Sequence, residues 1–206
     1  MAVNSTKKQA GFTLIELLIV ITIIAVLAML TTVMVSIARK QAAAAAVKSD
    51  ISGFKLALAA YRDDEGIFPG HAQKWDEDDE YFNAFPDLFE AILGQPRSKG
   101  GKGGKNAPYW EDYKEDKVVV MVDPDNPSAG FQPPLERSDL NDVDVPKFYE
   151  DQFGNPYIYR ENDTKKPEPW MWKAGSYDLW SCGPDGKNDS MWAADAEEND
   201  DIGSWN

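Results

Sequence analysis

The chain is poor in cysteine, histidine and positive charge, and each shortage closes off a class of function. Its 206 residues include one cysteine, Cys182, so no intrachain disulfide can hold the fold. The lone histidine, His71, lies far in sequence from that cysteine, which leaves no soft-ligand set for zinc. Ser181 and His71 have no recognisable triad context, and the many paired carboxylates are what an acidic chain provides by chance. Lys and Arg number 21 against 35 Asp and Glu, a formal net charge of −14. Nucleic acid needs a basic face, so this balance argues against it as a partner. It suits a solvated domain, a cation site or contact with a basic partner. No internal repeat is evident, and the length suits one modest domain with an N-terminal extension.

Against this polar background stands one long apolar run. Gly11-Phe12-Thr13-Leu14-Ile15-Glu16 opens it, and it continues to about Ala38. From Leu17 to Leu30 only Thr22 interrupts it, and about 20 such residues span a bilayer. An ordinary secretory signal is cut after its apolar region. Here the glycine precedes that region, so a cut at Gly11 would retain the helix. The single carboxylate of Glu16, near the start of a membrane-length segment, is costly there and marks a functional site by default.

A short leader containing Lys7 and Lys8, then glycine, then an apolar helix bearing one glutamate, resembles the class III signal of type IV prepilins and type II secretion pseudopilins. The resemblance implies a cut by the prepilin peptidase between Gly11 and Phe12, and N-methylation of Phe12. It also implies pairing of Glu16 with the Phe12 amine of a neighbouring subunit. Residues 1–11 are then the leader, 12–38 the transmembrane and filament-core helix, and 39–206 the periplasmic head. Losing the two leader lysines makes the chain still more acidic.

Helical character continues past the membrane segment. Val47, Ile51, Phe54, Leu58 and Tyr61 recur at spacings of four and three, one face of a helix. The pattern predicts one helix from about Thr13 to Asp63, about 75 Å long at 1.5 Å per residue. A small domain must pack on that stripe. Gly53 is the only helix-weakening residue in the second half, at about 1 kcal/mol relative to alanine. Asp63-Asp64-Glu65-Gly66 and Pro69-Gly70 end the helix, within a segment that resembles the helix end of major pseudopilins. Further on, Phe82–Leu93 predicts a short amphipathic helix, Lys117–Val122 a strand, and Tyr157–Tyr159 a strand pairing antiparallel with Tyr177–Ser181. Gln95–Asn106 predicts a glycine- and lysine-rich loop, and Asp123–Pro146, with five prolines, an irregular stretch. Asp76–Glu80 is an acidic run suited to solvent. Trp170, Trp172 and Trp192 could form an aromatic platform, although core packing or subunit contact suits most tryptophans better.

The tail carries the second signal. Ser181-Cys182-Gly183-Pro184-Asp185-Gly186 and Asn199-Asp200-Asp201-Ile202-Gly203-Ser204-Trp205 are oxygen-rich loops that suit Ca²⁺ rather than zinc. The spacing around Asp185 is not that of an EF-hand. Together with Phe153-Gly154-Asn155-Pro156-Tyr157, their order is similar to the major pseudopilin (GspG) family of type II secretion. That resemblance implies an α+β pilin-like fold, a long helix packed on a small antiparallel sheet. It implies a structural Ca²⁺ held by the side chains of Asp185, Asp200 and Asp201 and the backbone carbonyl of Cys182. Asn188, Asp189 and Asp195 are further oxygen donors with no matching family position.

The role implied is a non-enzymatic subunit of the periplasmic pseudopilus, anchored in the bacterial inner membrane and driving protein export. Its partners would be copies of itself, minor pseudopilins, the prepilin peptidase, the inner-membrane assembly platform and, before assembly, membrane lipid. A type IV pilin, a minor pseudopilin and a membrane-anchored binding domain that never polymerises are the alternatives. The chain departs from the family in a long insertion between Gly70 and about Lys147, in an expanded Gly186–Asn199, and in lacking a proline at Val33. That last absence predicts a straighter helix, or one whose local melting relies on Thr31 and Thr32.

Overall fold

The structure is a computed structural model and describes residues 12–70, 83–93, 109–110, 113–123, 129–134, 145–162, 175–188 and 200–205. Two compact units divide it, Met1–Ala42 and Ala43–Asn206. Helix α1, Leu14–Glu65, is continuous through the point where they meet.

In the first unit, the described part of α1 buries none of its apolar side chains, from Leu14 to Ile37. Three of the four hydroxyl residues in the run, the threonines, each bond to a carbonyl of their own helix. Thr22 donates to Leu18, while Thr31 and Thr32 both donate to the Ala28 carbonyl, at 2.9 and 2.8 Å. The three threonine donors are thus satisfied within the helix, which suits an apolar setting. Among the described residues, α1 is the one helix long and apolar enough to cross a membrane.

In the second unit, α1 presents the face that its spacing predicts. Val47, Ile51, Phe54, Leu58 and Tyr61 are buried, and Ala57 joins them. Phe54 sits at the centre, with ring centroids 4.4 Å from Trp110, 5.2 Å from Tyr157, 5.6 Å from Phe85 and 6.0 Å from Tyr149. The structure also supplies the reason for Gly53. A side chain there would meet the Trp110 indole at 3.3 Å, so the glycine makes room for the ring. The helix stops at Gly66, whose φ of +78° is a left-handed cap and whose N–H donates back to the Arg62 carbonyl at 2.8 Å.

Helix α2, Phe85–Leu93, starts later than the sequence pattern suggests because Asn83 caps it. The Asn83 side-chain oxygen accepts the Phe85 N–H and the Tyr159 N–H, both at 3.0 Å, and its amide donates to the Tyr157 carbonyl. One side chain thus caps α2 and ties it to strand β4.

Among the described residues six short strands follow: β1 Val118–Met121, β2 Phe131–Gln132, β3 Lys147–Tyr149, β4 Ile158–Glu161, β5 Tyr177–Ser181 and β6 Ile202–Gly203. They form two antiparallel three-stranded sheets, ordered β2-β1-β3 and β4-β5-β6. The α+β class stands, with two small sheets where one was expected. β5 has the predicted bounds and pairs antiparallel with β4, Tyr159 opposite Leu179. The stretch expected to be irregular contains β2, which pairs Phe131 with Met121. Burial of Tyr149 pushes its hydroxyl up to about 12, and burial raises those of Tyr157 and Tyr159 as well. All three stay neutral donors, and Tyr157 donates to Asp50 on α1 at 3.1 Å.

Asp76–Glu80, Gln95–Asn106, His71, Trp170, Trp172 and Trp192 lie outside the described residues.

Candidate functional site

The N-terminal site begins at Phe12, since Gly11 lies outside the described residues. Phe12 is exposed, and α1 starts two residues later. Thr13 and Glu16 form a reciprocal capping box. The Thr13 N–H donates to Glu16 Oε2 at 2.9 Å, its hydroxyl donates to the same oxygen at 2.8 Å, and the Glu16 N–H donates to Thr13 Oγ1 at 3.3 Å. Both carboxylate bonds fall on Oε2, so Oε1 takes no part in the box. The Thr-x-x-Glu spacing is a capping signature legible in the sequence, one that the charge of Glu16 alone does not reveal. The carboxylate is therefore fixed at the helix start rather than free on a rotamer-rich stem.

The C-terminal site is built on the turn after β5. Cys182 is buried and leads into the 3-10 turn Gly183–Asp185, closed by Gly186 in the left-handed conformation. Gly183 also has a left-handed φ, +64°, and a side chain there would come within 2.4 Å of the Asp200 carbonyl oxygen. The two acidic loops thus touch at the backbone. Asp185 is exposed, and the Lys187 N–H, donating at 2.8 Å, holds its carboxyl below the usual range. The Lys187 ammonium at 3.4 Å and a hydrogen bond with Asp200 act in the same direction. Asp200 is exposed, whereas Asp201 turns inward and is buried. Asn188 Oδ1 accepts the Trp180 indole N–H at 2.9 Å. Asp189 and Asp195 lie outside the described residues.

The structure brings Asp185 and Asp200 together and places Asp201 beside them in sequence but facing the interior. Among the described residues, no three His, Cys, Asp or Glu side chains are grouped to hold a metal ion. Any cation here would draw on two carboxylates and on backbone carbonyls. That donor set is all oxygen, and two like charges within hydrogen-bonding reach favour a cation between them. The set fits a hard divalent ion.

A third group, invisible to the sequence reading, holds the turn in place. Asp151 is buried, and its Oδ1 accepts the N–H groups of Phe153 at 2.7 Å and Asn155 at 3.0 Å. Its Oδ2 accepts the Ser181 hydroxyl, whose oxygen in turn accepts the Gly183 N–H at 3.1 Å. The Asn155 amide closes the circuit by donating to the Gly183 carbonyl at 3.0 Å. The residues lie 30 positions apart, so only the fold unites them. The nearest sequence signal is the Asp-x-x-x-Asn spacing of an Asx-type turn.

Residues 6–32 match the family described as "Prokaryotic N-terminal methylation motif". Over 201 residues, 97% of this chain and 96% of the relative, the sequence is 26% identical to "Type II secretion system core protein G" of Pseudomonas aeruginosa. Among solved structures, the major pseudopilin from the type 2 secretion system of enterohaemorrhagic Escherichia coli is similar at 18% identity and a TM-score of 0.37. That match covers 80% of this chain and 88% of that one. In this chain the methylation-motif helix at the N-terminus is followed in sequence by small antiparallel sheets. From end to end the chain is similar in sequence to that protein G, and its N-terminus carries the methylation motif.

Proposed function

We propose that this chain is the structural subunit of a periplasmic pseudopilus, polymerised from the inner membrane during protein export. The observation that carries this reading is the methylation motif, residues 6–32, which begins ahead of the membrane-length helix and runs into it. A prepilin peptidase cutting after Gly11 would leave the helix on the head, with an N-methylated Phe12 as its first residue. Before assembly, the exposed apolar side chains of Leu14–Ile37 need lipid. In the filament the same side chains would pack against those of neighbouring copies. Minor pseudopilins and the inner-membrane assembly platform are the remaining partners. The role is structural and requires no catalytic residue.

The chain should therefore be processed and should polymerise in a host carrying a type II secretion apparatus. The intact mass of membrane-extracted protein is expected to lack residues 1–11 and to gain one methyl group, with filaments seen by electron microscopy on overexpression. A retained leader and an absence of filaments would reject the reading.

The head is proposed to carry one structural Ca²⁺, held by Asp185, Asp200 and the Cys182 carbonyl, with Asp201 joining them only if its buried side chain turns outward. When bound, the ion supplies positive charge that cancels the repulsion between the facing carboxylates. The chain's own contribution is the platform: the Asp151–Ser181–Asn155 circuit fixes the turn, and Gly183 lets the second loop approach. Chelation should lower the melting temperature of the head, followed by tryptophan fluorescence on detergent-solubilised full chain. At a Ca²⁺ concentration one hundred times the dissociation constant, the linkage amounts to about 2.7 kcal/mol. No change on chelation, with no calcium found by elemental analysis, would remove the ion from the account.

A further inference from the structure

Along the solvent face of α1 in the second unit, Lys48, Lys55 and Arg62 recur every seven residues. A seven-residue step drifts by only about 20° around a helix, so the three cations form one stripe. Among the described residues none of them forms an ion pair. In a chain with 35 acidic and 21 basic residues, such a stripe runs against the overall balance. It borders an open groove of about 400 Å³, lined by Lys55, Ala59, Arg62, Asp63, Phe68 and Tyr177, so two cations face one carboxylate there. The floor is aromatic and preorganised. Phe68 and Tyr177 meet edge to face at 5.0 Å, and the Arg62 guanidinium lies 4.6 Å above the Phe68 ring. Arg62 is thus held in place by a ring and still presents its charge.

We propose that this groove receives an acidic segment of a second copy of this chain. Charge complementarity identifies the occupant, because the rest of this chain is a dense source of carboxylates and the groove is lined with unpaired cations. An anionic lipid surface would face the same cations but would be repelled by the surrounding acidic head. The contact is also of the right symmetry. The basic groove and the acidic surface are different parts of one chain, so copies join head to tail. Head-to-tail contacts that do not close into a ring generate open helical filaments. The inference rests on the polymer reading above and adds to it a contact between unlike surfaces of neighbouring copies, outside the membrane segment.

The test places a benzophenone-bearing amino acid at Ala59, which is exposed and small, in the full chain in membranes containing the secretion apparatus. Irradiation is expected to give a covalent dimer of this chain, with the cross-linked peptide rich in Asp and Glu. Lys55→Glu combined with Arg62→Glu should lower the dimer yield about fivefold or more, while Lys55→Arg with Arg62→Lys keeps it within about twofold. About 0.5 M salt, where charges are screened beyond roughly 4 Å, should weaken the cross-link in the same direction. Filaments that form without any Ala59 cross-link would overturn the groove and leave the subunit reading standing. Cross-links to a different protein, or a yield indifferent to the charge reversal, would overturn it as well. Absence of both filaments and cross-links would overturn both readings.

Discussion

Phe54→Ala is expected to destabilise the head by about 3–5 kcal/mol, the upper range for an aromatic core truncation. Phe54 is fully buried, and its ring meets four others, contributed by α2, β3 and the segments around Trp110 and Tyr157. Aromatic pairs in edge geometry add about 0.5–1.5 kcal/mol beyond the area they bury, so several such terms are lost together. The flanking position resists collapse into the void, because Gly53 offers no side chain to fill it. For a unit of this size the melting temperature should fall by about 10 °C, measured by near-UV circular dichroism on the full chain in detergent. Domains are stable by only about 5–15 kcal/mol, so this one change would leave a large unfolded fraction near the growth temperature. A shift under about 3 °C would mean that α1 is not held by this cluster.

The helical half of this packing was legible beforehand, and the sheet half was not. A spacing of four and three over fifteen residues is a strong signal, and Val47 to Tyr61 are buried as it requires. Strands of two or three residues, such as β2, β3 and β6, are too short to show alternation. β4 and β5 fail to alternate for another reason, since both of their faces are covered. Arg160, opposite Asp178 in the register, is buried with it at 3.8 Å and lies 4.7 Å from the Trp180 ring. Burial lowers the Arg160 pKa to about 10 against the opposing pull of Asp178. Lys147 is equally hidden, its ammonium donating to the Val145 carbonyl at 3.1 Å. A sequence reading puts such charges in water, because their partners come from other strands.

The sites divide along the same line. Local chemistry, such as the glycine before the apolar run and Thr13 three residues before Glu16, can be read from spacing. The Asp151 circuit and the contact between Asp185 and Asp200 need long-range closure, and for the second pair only a family resemblance anticipated it. The basic stripe of α1 was local and legible too. Its significance needed the groove, which Phe68 and Tyr177 create from two distant segments.

Glu16→Ala should leave the chain folded and inserted yet reduce filament formation by two orders of magnitude or more. The contacts of Glu16 within the chain are all with Thr13, so its loss removes one helix cap, worth about 1 kcal/mol, and nothing of the head. In the proposed filament the effect is larger. Removing the carboxylate strands the Phe12 amine of the next subunit in an apolar core, and an uncompensated buried charge costs about 3–5 kcal/mol. At about 1.4 kcal/mol per factor of ten, each added subunit binds roughly 100- to 4,000-fold more weakly. The capping box makes the two contributions separable. Thr13→Val removes the hydroxyl but keeps the carboxylate charge, and should lower filament yield far less than Glu16→Ala. Glu16→Gln keeps hydrogen-bonding oxygen and nitrogen at the helix start without the charge, and should behave like alanine. Filament yield is read by electron microscopy and by the sheared fraction, against membrane levels of subunit on immunoblots. Equal loss in Thr13→Val and Glu16→Ala would assign the effect to the helix start. Normal filaments from Glu16→Ala would end the pairing mechanism, because no other carboxylate lies in the described apolar run to take its place.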